Sequence, residues 1–129
     1  MSRQMKRNLT GTAVVGVALI LLGATWLSLP SGESAEPIRE IVLDARDAAF
    51  DVDNPTLHLQ AGERVRFVVR NTDPGVVHAI TIPGLDSEVR TIAWGEQVAF
   101  EVTVPPGGTF QYVCPQHAPK MQGKIVVQP

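Results

Sequence analysis

Cysteine is almost absent from this 129-residue chain: Cys114 is the only one. No intramolecular disulfide can form, so a disulfide framework is excluded as the source of stability. Methionine is equally sparse, and beyond the N-terminal region Met121 is the only one. No tight cluster of carboxylates appears, which argues against a calcium or magnesium site built from oxygen ligands. Basic residues form no stripe, so a nucleic-acid partner is not expected. No window beyond residue 37 has the apolar period of a long helix, and no internal repeat is present.

Charge is missing altogether from Asn8 to Gly32. Within that stretch Leu9–Leu29 is a mostly apolar run of 21 residues, enough at about 1.5 Å rise per residue to span the roughly 30 Å hydrocarbon core of a bilayer. Arg3, Lys6 and Arg7 precede it and Glu33 and Glu36 follow, so the positive-inside rule keeps the N-terminus cytoplasmic and exports the rest. A cleaved signal peptide is the rival reading. No small-x-small pair follows the run, since Ala35 has Glu33 and Ser31 has Leu29 at the minus-three position, so an uncleaved anchor is preferred. The expected organisation is a cytoplasmic tip and transmembrane anchor over 1–29, a linker over 30–37 (PSGESAEP) and one domain over 38–129. The expected location is the cell membrane, single-pass, with the C-terminal domain periplasmic or otherwise extracytoplasmic.

The formal charge of −2 hides an asymmetry. All thirteen acidic residues but only eight of the eleven basic ones lie at or beyond Glu33, leaving a formal −5 on that side. An exported chain with one unpaired thiol points to a cysteine that is buried or metal-bound, because an oxidising compartment attacks a free one.

Short runs of β-branched and apolar residues, punctuated by turn signals, predict an all-β sandwich of about eight strands. They fall at Arg39–Ala45, Ala48–Asp51, Thr56–Gln60, Arg64–Asn71, Val77–Ile82, Gln97–Val104, Thr109–Val113 and Gly123–Gln128. Alternation in Arg64–Arg70 sends Val65, Phe67 and Val69 to one face and the arginines to the other, and the same logic turns His58 to solvent. Pro83 to Glu96 is read as the longest connection, with Trp94 packed beneath it.

Cys114-x2-His117-x3-Met121 brings a thiol, an imidazole and a thioether onto one loop between two strands. Singly, each is ordinary: a buried small hydrophobe, a surface histidine, a core filler. Jointly they suit a soft metal. His78, at the start of the strand Val77–Ile82, is the fourth candidate, whereas His58 sits on a polar face. Two imidazoles, a thiolate and a weak thioether favour copper, because zinc has little use for the thioether. A cysteine-nucleophile enzyme built on Cys114 and His117 is disfavoured, since no orienting Asp or Asn is near in sequence.

Tyr112-Val113-Cys114-Pro115-Gln116-His117 through Met121, together with His78, resembles the corresponding stretches of the cupredoxins, and the resemblance extends over Arg39–Gln128. It is strongest toward the amicyanin and plastocyanin branch. The resemblance implies a Greek-key sandwich holding one Cu(I)/Cu(II) ion on His78, Cys114, His117 and Met121, with His117 at the solvent edge. It implies a type 1 blue copper protein, not an enzyme, that transfers single electrons between redox partners. The donor and acceptor would be a cytochrome, dehydrogenase or oxidase docking near His117, and the protein is expected to be a monomer. Copper storage or delivery, and an accessory subunit of a terminal oxidase, are the alternatives. The x3 gap between His117 and Met121 lies between the x2 and x4 of that branch. Ala79 stands where the family often has Asn or Ser, implying that a side-chain bond between the two ligand loops is missing. Val77–Leu85 also looks like a stretch of subunit II of haem-copper oxidases, whose binuclear centre needs two cysteines where this chain has one.

Overall fold

The computed structural model describes residues 35–129; the expected tip, anchor and most of the linker lie outside the described residues. Nine strands and no helix are found among those residues: β1 (Arg39–Arg46), β2 (Ala49–Phe50), β3 (Leu57–Gln60), β4 (Arg64–Asn71), β5 (His78–Ile82), β6 (Asp86–Ile92), β7 (Gln97–Thr103), β8 (Thr109–Val113) and β9 (Gln122–Gln128). They form two sheets, ordered β2-β1-β4-β7 and β3-β9-β8-β5-β6, with parallel pairing at β1/β4 and β3/β9. No helix among the described residues is long and apolar enough to cross a membrane.

The alternation expected in β4 holds: Val65, Phe67 and Val69 are fully buried while Arg64, Arg66 and Arg70 are exposed. Those three join Leu43 on β1, Leu59 on β3, Ile80 and Ile82 on β5 and Ile125 on β9 in one core. Each such side chain contributes about 1.5–3 kcal/mol on burial. On the outer face Arg70 meets Asp44 at 2.7 Å and Arg64 meets Glu101 at 2.9 Å, pairs worth about 0–1 kcal/mol each at the surface.

Three expectations are corrected. The segment read as a long connection contains β6, so the strands number nine rather than eight. β6 escaped notice because it is an edge strand whose Ser87, Glu88, Val89 and Thr91 are all exposed; charged edges of this kind discourage sheet-to-sheet pairing. Trp94 is not packed beneath a loop but is 61% exposed in the short turn from β6 to β7. The second strand shrinks to two residues because Asp47 and Ala48, both with positive φ, make the two-residue hairpin turn, and Asp51 with φ 49 ends the strand.

β5 is buried at every position, from His78 to Ile82, because it lies between β8 and β6 and beneath the other sheet. This gives its first residue a dry environment. β1 and β4 end at the same pole of the sandwich as β6, since Ala45 pairs with Asn71 and Ile92 with His78. The β8–β9 loop reaches that pole too.

Candidate metal centre

Asn71, the last residue of β4, fixes the loop that leads to His78. Its Nδ2 donates to the carbonyls of Val76 at 2.7 Å and Ile92 at 2.8 Å, and its Oδ1 accepts the N–H of Asp73 at 2.9 Å. Asp73 is thereby aimed at the buried imidazole of His78, and its Oδ2 lies 2.9 Å from Nε2. The same oxygen accepts the N–H of Asp47 at 3.0 Å. The hydrogen bond from His78 holds the Asp73 carboxyl below its usual range; partial burial opposes this and the Asp47 N–H adds to it. With a carboxylate acceptor at Nε2, the neutral imidazole carries its proton there and its lone pair on Nδ1.

That Nδ1 is buried and has no hydrogen-bond partner among the described residues. An orphan of this kind costs about 1–3 kcal/mol unless something binds it. The donor atoms of His78, Cys114 and His117 all lie within 4.8 Å of one another. Cys114 is fully buried; its Sγ accepts the backbone N–H of Ala79 at 3.4 Å and stands 3.3 Å from Nδ1 of His117. Sγ is also 3.2 Å from Oε1 of Gln116, and the rings of His78 and His117 are 4.9 Å apart. His117 is half-buried.

The β8–β9 loop closes on itself. Cys114 N–H donates to Met121 O at 3.0 Å, His117 N–H to Cys114 O at 3.1 Å, and Met121 N–H to His117 O at 3.1 Å. Met121 is fully buried at the end of that circuit. His58, by contrast, is exposed on β3 and takes no part in the cluster. Sequence reasoning missed Asp73 and Asn71. The signal was present in Asn71-Thr72-Asp73, an Asx-type turn five residues before a histidine, but a turn motif does not announce that its carboxylate faces a ring. The bond expected to be missing at Ala79 is replaced in part by its backbone N–H to Cys114.

Two imidazole nitrogens and one thiol sulfur, two of the three residues fully buried, form a soft, water-poor donor set that fits a type 1 copper site. An all-β sandwich with such a cluster at one pole defines the class. The chain belongs to the cupredoxin-like family: the model of the cupredoxin-like domain matches residues 17–127. Amicyanin of Paracoccus denitrificans is 30% identical over 88 residues, 68% of this chain, and the chain spans only 65% of that relative's length. Among solved structures, auracyanin A, a blue copper protein from Chloroflexus aurantiacus, superposes with a TM-score of 0.60 at 23% identity, covering 71% of this chain and all of the other. The copper-containing nitrite reductase of Thermus scotoductus gives a TM-score of 0.61 at 24% identity, covering 72% of this chain but 28% of the reductase.

Proposed function

We propose that this chain is a mononuclear blue copper protein that carries single electrons between redox partners outside the cytoplasm, held at a membrane by the apolar run Leu9–Leu29. The observation that carries the reading is the unpartnered Nδ1 of buried His78 beside Cys114 Sγ and His117 Nδ1. Copper bound there would supply a one-electron couple. His78 would be its rigid ligand, oriented by Asp73, and Cys114 would ligate as the thiolate, with the Ala79 N–H stabilising the negative sulfur. Met121 would supply a fourth, weak thioether donor. His117, half-buried, would be both ligand and the conducting edge to a partner.

A partner would dock over His117 on Pro115, Ala118, Pro119, Gly75 and Val76, uncharged residues that are exposed or half-exposed, with Lys120 at the rim. An apolar contact of modest area suits a complex that must dissociate quickly. The carrier role is favoured over delivery because three of the four proposed ligands, His78, Cys114 and Met121, are fully buried, which retains an ion instead of exchanging it. The match to nitrite reductase covers too little of that chain to suggest its activity here.

The test is copper loading of the purified full-length chain. One equivalent should give an intense visible thiolate-to-copper band with narrow hyperfine splitting, and Cys114→Ser should lose the band. A colourless protein that surrenders Cu(I) to a chelator would instead mean delivery. For docking, Ala118→Glu in the anchored chain and in one starting at Glu36 should slow reduction by native membranes; unchanged rates would place electron entry elsewhere.

A further inference from the structure

Among the described residues, two hydrogen bonds reach Cys114–Met121 from elsewhere in the sandwich. One is the Ala79 N–H to Cys114 Sγ; the other runs from Asn54 Nδ2 to the carbonyl of Lys120 at 3.1 Å. Lys120 immediately precedes Met121, whose own N–H and carbonyl are both bonded within the loop. The far end of the loop therefore has one outside tie, and it comes from a residue 66 positions away.

Asn54 is itself held firmly. Its Oδ1 accepts the Phe50 N–H at 2.9 Å, its own N–H donates to the Phe50 carbonyl at 2.9 Å, and its φ of 51 lies in the left-handed region that asparagine tolerates best among residues with side chains. The two amide bonds agree on which atom is oxygen, since one partner is a donor and the other an acceptor. Phe50 packs edge-on against Tyr112 at 5.2 Å between centroids, and the Tyr112 hydroxyl donates to the Pro55 carbonyl. Phe50–Pro55 thus grips both stems: Tyr112, two residues before Cys114, and Lys120, one residue before Met121.

We infer that Asn54 is a positioning residue for Met121, setting how closely its thioether approaches the metal by pinning the Lys120 carbonyl. The inference rests on the copper reading for its consequence but not for its geometry. Asn54 supplies from one side the restraint that alanine at position 79 cannot supply from the other.

Two variants of the full chain test it. Asn54→Asp keeps the acceptor for Phe50 N–H and tolerates positive φ but has no donor for Lys120; Asn54→Gly removes the side chain without adding charge. In the metal-free protein, amide exchange at Met121 should quicken roughly five-fold in both, the effect of losing about one hydrogen bond. With copper, both should alter the rhombicity of the electron paramagnetic resonance spectrum and speed copper loss to a chelator several-fold. In a Met121→Leu background neither variant should change the spectrum further. An unchanged spectrum in Asn54→Gly, or equal changes with and without Met121, would overturn the inference. Failure of the native chain to give the thiolate-to-copper band would sink the copper reading instead, leaving the exchange measurement to decide on Asn54.

Discussion

Asp73 Oδ2 stands 2.9 Å from His78 Nε2 and 3.0 Å from the backbone N–H of Asp47, so one carboxylate oxygen joins the metal cluster to the hairpin turn between β1 and β2. Its position fixes the ring. Asp73→Ala should weaken copper binding about 10- to 100-fold, the usual cost of removing a partner that orients a ligand. Asp73→Asn, which retains an acceptor, should bind nearly as tightly but with a higher reduction potential, because the lost charge favoured Cu(II). Competition with a chelator of known affinity and redox titration check the pair; equal affinity in native protein and Asp73→Ala would show that His78 needs no orientation.

Gly123 on β9 pairs with Tyr112 on β8, and a Cβ on Gly123 would come within 2.1 Å of both Cζ and the hydroxyl oxygen of Tyr112. The glycine lets the ring lie across the β9 backbone, two residues before Cys114 and two after Met121. Gly123→Ala should cost about 1–3 kcal/mol through displacement of the ring. Gly107→Ala, at a position with open space around it, should cost much less. Urea unfolding of the metal-free protein separates them.

How much of this was legible in sequence depends on how local the cause was. The alternation of Val65, Phe67 and Val69 and the outward turn of His58 follow from the two-residue period of a strand, and the structure has both. The spacing of Cys114 and His117 on one loop needed no long-range information. β6 was hidden because an exposed edge strand carries no apolar alternation, only Ile92 being fully buried. The ties that organise the site, Asp73 to Asp47, Asn54 to Lys120 and Tyr112 to Pro55, join residues 26, 66 and 57 positions apart through polar atoms. Hydrophobic pattern is blind to them.

Burial raises the ionisation of the Tyr112 hydroxyl well above its ordinary value, with Asp51 and Asp53 adding in the same direction. A raised pKa in the folded state means that the contribution to stability is complete below the unfolded value of about 10 and is lost as pH rises above it. Stability should therefore fall by up to about 1.4 kcal/mol per pH unit above about pH 10 from this group. Tyr112→Phe should flatten that slope. Ultraviolet titration should show no tyrosinate before unfolding, since Tyr112 is the only tyrosine; early ionisation would contradict its burial.

Met121 is the last test of the centre, because its thioether is the weakest donor proposed and its x3 distance from His117 sets where it can reach. It is fully buried, its N–H bonds to His117 O and its carbonyl accepts from Cys114 N–H, so its backbone is locked to two other proposed ligands. Substitution should leave that backbone circuit intact. Met121→Gln replaces a soft sulfur by an amide oxygen, which stabilises Cu(II) over Cu(I). Each tenfold gain in that preference lowers the potential by about 59 mV for one electron, and a shift of at least one such step is expected. Copper content should be unchanged, because the imidazoles and thiolate hold the ion. Met121→Leu, with no donor, should shift the potential the opposite way. If redox titration finds all three proteins alike while each binds one copper, Met121 is core filling and the ion is held by His78, Cys114 and His117 alone.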